Sequence, residues 1–277
     1  MLLYGNFWIA LCSTALVWQT EFLLTGTFDP LSVLSRFLFC STLFLYAAHR
    51  IVGLEKVSAF HQQGRFKVIY RHRRHIRIYA IIGAMGAAWY FFQLKPLTQI
   101  LMVPAGIISL AYVLPIWTGL RLRDVHYVKI FLIALVFSYV TACLPLVELG
   151  WELSQIHWGV LLERCLFLLA ITLPFDIRDL LIDKHTHVKT IPQLLGPERT
   201  MRLALALLGL VLLLALAFQR MGLYAPDVTI GYIAALIITG VLIYFSPRQQ
   251  HDYYFSGLLD GSMLLIFLGS LFGYLLL

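Results

Sequence analysis

Residues 165–183 read CLFLLAITLPFDIRDLLID, an unbroken apolar run that passes Pro174 and ends in three aspartates, Asp176, Asp179 and Asp183. A helix needs about 20 mostly apolar residues to cross the hydrocarbon core of a bilayer, and 156–175 is such a stretch. The same ruler, carried outward, finds eight more, near 5–24, 33–54, 76–94, 97–117, 127–147, 202–220, 228–246 and 255–277. All are continuously apolar and lack the alternation of barrel strands, so helices are expected. The fold class is then all-α: a polytopic membrane bundle of about nine helices. No connection is long enough to fold as a soluble domain, so residues 1–277 read as a single transmembrane domain.

Composition agrees. Of 277 residues, 60% are hydrophobic and 13% charged, against about 25% charged in a soluble domain. Such a chain cannot cover a water-soluble globule, and it is too apolar for disorder. Cys12, Cys40, Cys143 and Cys165 all sit inside apolar runs without paired spacing. They read as small buried hydrophobes rather than as a disulfide framework or a zinc site.

The net charge of +7 is segregated. Seventeen of the 21 Lys and Arg fall at alternate connections: eight within 50–77, then Arg121, Arg123 and Lys129, then five from Arg178 to Arg202, then Arg248. The opposite connections hold Asp29, Glu148, Glu152 and Asp227, with few cations. Cations stay on the cytoplasmic side. The N-terminus is therefore expected in the cytoplasm and the C-terminus outside, in the cell (inner) membrane. The segregation explains the basic balance without nucleic acid. The first run has no preceding basic residue and no small-residue cleavage site, and Glu21 closes it, so it reads as a span and not a cleaved signal. Segment 50–77 has two readings: a basic loop on anionic lipid, or cations folded over an anionic ligand. His61, His72 and His75 lie in it, but the arginines flanking His72 and His75 would repel a metal.

Asp176, Asp179 and Asp183 stand at i, i+3 and i+7, one face of a helix. Their repulsion and the cost of carboxylates near a bilayer are relieved if magnesium, which takes carboxylate and phosphate oxygens, binds between them. The other reading is a solvated helix end paired with Arg178, Lys184 and Lys189, ion pairs worth little. Glu163 and Arg164 lie deeper in the same span and read as a structural ion pair near the outer interface. Pro104, Pro115 and Pro145 are proline positions that membrane helices tolerate.

The stretch 175–196, FDIRDLLIDKHTHVKTIPQLLG, resembles the second aspartate-rich motif of the UbiA superfamily of intramembrane prenyltransferases. That pattern is D-x-x-D-x-x-x-D with a K-T-x-P-x-x-L-G-like tail, matched by Asp176, Asp179, Asp183, Lys189, Thr190, Pro192, Leu195 and Gly196. Residues 109–141, SLAYVLPIWTGLRLRDVHYVKIFLIALVFSYVT, are similar to the family's Y-x-x-P, basic turn and lysine-bearing helix start, at Tyr112, Pro115, Arg121, Arg123 and Lys129. The resemblance implies a prenyl diphosphate held through magnesium on Asp176, Asp179 and Asp183, which are then the catalytic and metal residues. His49, Arg50, Tyr112, Arg121, Arg123, Lys129, Arg178 and Lys189 would surround the diphosphate, the apolar tail would lie between helices, and the prenyl group would pass to an unidentified acceptor.

The first motif departs from the family. Where N-D-x-x-D-x-x-x-D should close the second span, the chain has YAAHRIVGLEKV at 46–57, with His49, Arg50, Gly53 and Val57 at the motif positions and Glu55 as the one acid nearby. Arg50 either replaces a metal with fixed charge at a diphosphate, or snorkels at a helix end, or marks a half-site that is lost. The last case makes the protein a non-catalytic prenyl-lipid binder or partner subunit. A transporter with a polar passage is the remaining rival; of the ionisable residues, only Glu163 and Arg164 come near mid-membrane.

Overall fold

The computed structural model describes residues 6–56, 64–115, 121–151, 155–249 and 251–276. Val57 and His61 lie outside the described residues, as do the side chains of Glu55, Lys56 and Arg65. Every described regular element is helical. In order these are α1 (Phe7–Thr25), α2 (Val33–Lys56), α3 (Gly64–Arg71), α4 (Arg73–Phe91), α5 (Pro96–Val113), α6 (Val128–Ser138), α7 (Leu144–Leu149), α8 (Gln155–Arg178), α9 (Leu180–His185), α10 (Ile191–Leu195), α11 (Pro197–Arg220), α12 (Pro226–Phe245) and α13 (Asp260–Leu276). Each of the nine expected stretches holds a long helical segment, α6 and α7 sharing one. Six are long and apolar enough to cross a membrane: α1, α5, Val128–Leu149, α11, Pro226–Arg248 and Tyr254–Leu276. The other long helices, α2, α4 and α8, carry more polar and charged residues. The chain is an integral membrane helical bundle.

Proline sets several starts. Pro96, Pro197 and Pro226 stand in the first turns of α5, α11 and α12, where the missing N–H has no intrahelical partner to lose. Pro145, at the start of α7, follows a π-turn over Tyr139–Cys143. Proline leaves the carbonyl four residues back without its donor, here that of Thr141, and the Thr20 hydroxyl donates to it at 2.7 Å.

Helix α1 is apolar on all sides and correspondingly buried, from Ile9 to Leu23, as expected of a helix without a polar face. It packs on α2 and α13, while α8 packs on α6 and α11. Phe167, Leu168, Ala170, Ile171 and Leu173 of α8 are buried in the same core. Large apolar side chains such as Met85, Trp89, Ile100, Ile107 and Leu213 point outward, which suits acyl chains. Where lipid surrounds a bundle, close helix contact relies on small residues. A Cβ on Gly231 of α12 would run into the Gly269 carbonyl of α13, and one on Gly273 into the Asp227 carbonyl.

Glu163 and Arg164 are buried and act on each other as charges, while their hydrogen bonds go to different partners. Tyr224 donates to Glu163 Oε2 at 2.7 Å. Arg164 donates to the Leu16 carbonyl at 3.0 Å and the Thr20 hydroxyl at 3.1 Å. All four cysteines are free thiols, with Cys12 and Cys143 buried and the other two half-buried.

Candidate functional site

Helix α8 ends at Arg178 and Asp179 caps α9. The pitch nevertheless persists, because the Asp179 N–H donates to the Phe175 carbonyl and the Asp183 N–H to that of Asp179, both at 2.9 Å. Asp176 and Asp183 thereby converge on one point, which the Lys129 ammonium occupies, 2.9 Å from Asp176 Oδ1 and 2.7 Å from Asp183 Oδ2. Lys129 is held there by the strand of chain before α6. Tyr127 takes a left-handed conformation (φ 63°) and donates its N–H to the Lys189 carbonyl at 2.9 Å, while the Lys189 N–H donates to His126 Nδ1 at 3.2 Å. Burial pushes the Asp183 carboxyl up from its ordinary value, and the Lys129 charge opposes that.

Asp179 points aside from the other two. Arg178 grips it with Nε–Oδ1 at 2.8 Å and Nη2–Oδ2 at 3.2 Å, and reaches Asp252 Oδ1 at 3.6 Å. The guanidinium also lies over the Phe175 and Phe255 rings at 5.1 and 5.0 Å. Arg178 thus fastens the end of α8 to the chain entering the last helix.

These groups line one cavity of about 290 Å³. His49, Arg50 and Gly53 of α2 are on its wall together with Asp176, Asp179 and Asp183, so Arg50 and Asp176 face a common space. Arg121, Arg123 and Lys129 line it as well. Arg121 is only 5% exposed. Its Nε and Nη2 are spent on Asp124 at 3.1 and 2.9 Å, and its Nη1 is buried with no partner among the described residues. A buried guanidinium donor left open in a cavity suits an anionic oxygen.

His49 and Tyr112 stack with ring centroids 6.3 Å apart. They also line a second, apolar cavity of about 200 Å³ with Leu45, Ile108, Leu132, Val136 and Phe137. A third of similar size shares Thr42, Leu45, Ser109, Val136 and Phe137 and extends along α2 to Phe37. The polar chamber thus adjoins an apolar slot between α2, α5 and α6.

Lys189 is the expected site residue that falls elsewhere: it is exposed and off the cavity wall. The chain tightens around its backbone, while the neighbouring Val188 side chain turns inward to line the cavity. Sequence reasoning missed Asp124, Asp252, Ser256 and Asp260, all on the wall. The last three stand four residues apart at the start of the last span, a helical stripe of polar residues that was legible. A π-turn over Tyr254–Leu259 interrupts that helix at this point, as such turns often do beside functional sites.

The expected magnesium meets a filled donor set. Asp176 and Asp183 share Lys129, Asp179 is held by Arg178 and Asp124 by Arg121, Asp252 lies 3.6 Å from Arg178, Asp260 shares the wall with Arg50 and Arg178, and the described side chains of α2 that line the cavity include no carboxylate. No three His, Cys, Asp or Glu side chains among the described residues converge on a metal position. These residues do not fit a pair of metal ions bridging two aspartate-rich motifs.

A helical membrane bundle with a charged chamber at one end and an apolar slot beside it defines the class. No protein-family model and no curated protein sequence matches the chain. Solved structures do. A UbiA homolog from Archaeoglobus fulgidus bound to GPP and Mg2+ aligns with TM-score 0.67 at 14% identity, covering 98% of this chain and 97% of that one. An apo UbiA homolog from Aeropyrum pernix K1 aligns with TM-score 0.67 at 14% identity over 100% and 99%. A structure of digeranylgeranylglyceryl phosphate synthase aligns with TM-score 0.59 at 13% identity over 100% of both chains. The chain has the fold of the UbiA homologues along its length.

Proposed function

We propose that the protein is a UbiA-type membrane protein that binds an isoprenyl diphosphate and transfers its prenyl group to an acceptor. One observation carries this: a charged cavity, lined by Arg50, Arg121, Arg123 and Lys129 among aspartates, opens past His49 and Tyr112 onto an apolar slot. That pairing of cations and grease matches an anionic head on a hydrocarbon tail, and the GPP described for the Archaeoglobus homolog has this chemistry. In the reaction the allylic C–O bond breaks, the diphosphate leaves with the electron pair, and the acceptor attacks the carbon. Fixed cations stabilise the developing negative charge, and the apolar walls keep water from the carbocation-like centre. Segregation of Lys and Arg supports a cytoplasmic chamber and N-terminus.

The test is diphosphate release from farnesyl or geranylgeranyl diphosphate by purified protein, compared with Arg50→Ala and Asp176→Ala. Release above both variants supports transfer. The replaced first motif favours a second reading, a protein that binds the prenyl lipid without turning it over. That reading predicts saturable binding, no release, and indifference to Asp179→Asn.

A further inference from the structure

We infer that this site holds its diphosphate without a divalent metal, the Lys129 ammonium standing between Asp176 and Asp183 where a metal would bridge them. The inference rests on the prenyl diphosphate reading and specifies how that site is charged. Two carboxylates of a metal motif lie within 2.9 Å of one buried ammonium on another helix. Magnesium demands near-octahedral oxygen coordination, so in the ligand-free chamber binding there means displacing Lys129 from both of its carboxylates. Asp179 offers no second foothold, because its two oxygens are engaged by Arg178. Asp124 is likewise held, by Arg121, Asp252 lies 3.6 Å from Arg178, and Asp260 stands on the same wall as Arg178 and Arg50.

The charge that metals would bring is instead present as side chains. Arg50 stands at a position where the family's pattern has an aspartate, and it faces the same cavity as Asp176. Arg121 presents a buried Nη1 with no partner among the described residues. Guanidinium groups bind phosphate oxygens through directed, charge-assisted hydrogen bonds. Sign reversal at α2 departs from the family's pattern, whereas Lys129 is a lysine that pattern shares; with both on the wall, the carboxylates of the chamber stand among fixed cations that can also meet an anion.

The experiment is equilibrium binding of labelled farnesyl diphosphate to the full-length protein in detergent, in excess EDTA and in excess magnesium. The expected affinities agree within about threefold, and Arg50→Ala weakens binding about tenfold or more in EDTA. Lys129→Met, checked for folding by its melting curve, unmasks the carboxylates and makes binding depend on magnesium. Manganese(II) titrated into protein alone, read by electron paramagnetic resonance, stays free with the native chain and binds the Lys129→Met variant. Binding that vanishes in EDTA, or manganese held by the native chain, overturns the inference and leaves the prenyl diphosphate reading standing. Absence of binding under both conditions overturns that reading and this inference with it.

Discussion

Lys129 and Tyr224 show how differently two buried polar contacts act. Lys129 neutralises two carboxylates at once, so Lys129→Ala leaves Asp176 and Asp183 facing each other without their cation. We expect a loss of about 3–5 kcal/mol, read as a lowered unfolding midpoint in detergent, partly recovered by Asp183→Asn in the same chain. Tyr224→Phe removes only the donor to Glu163. The expected loss is about 1–3 kcal/mol, with the cavity and its ligand binding unchanged because α8 spans the distance between them. Much at this scale was legible: Asp176, Asp183, Lys129, Arg121 and Arg123 do share a chamber with Arg50 and Tyr112. Asp179 also lines the chamber, paired with Arg178 as one of the two readings of the motif had it. Lys189 was misjudged because a motif match reports its backbone segment, and here the backbone makes the contacts.

Among the elements, the α12–α13 contact is the least forgiving. Gly231 and Gly269 bring the two backbones together, and any Cβ at Gly231 meets backbone atoms that cannot rotate away. Gly231→Leu should cost about 1–3 kcal/mol through overpacking, whereas Gly209→Leu on α11, with open space around it, should leave the melting curve unchanged. The nine long helical segments were legible because apolar length is a direct consequence of bilayer thickness. Helix α9 continues the face read from Asp176 to Asp183, but the short helix α10 and the π-turns were not legible, nor were the Lys189 backbone bonds to His126 and Tyr127, which leave no periodic trace in the sequence. The polar stripe Asp252, Ser256, Asp260 did leave one, masked by the surrounding apolar run.

For the molecule as a whole, charge asymmetry and the site lie at the same end. With the native cysteines removed, a cysteine at exposed Leu194 should react with an impermeant maleimide only in inverted or permeabilised membranes. One at exposed Met221, at the far end of α11, should react from outside intact cells. The reverse pattern would invert the orientation drawn from the positive residues. Fold class was legible at this scale because composition alone excludes a soluble globule; that Arg50 and Asp176 face one cavity was not, because it depends on how α2 packs beside the end of α8. The most direct measurement is an experimental structure of the protein with an unhydrolysable farnesyl diphosphate analogue. The account predicts the diphosphate among Arg50, Arg121, Arg123 and Lys129, with the tail past His49 and Tyr112 in the slot between α2, α5 and α6. A ligand seated elsewhere, or a chamber in which Arg50 turns to lipid and leaves the diphosphate untouched, would contradict it.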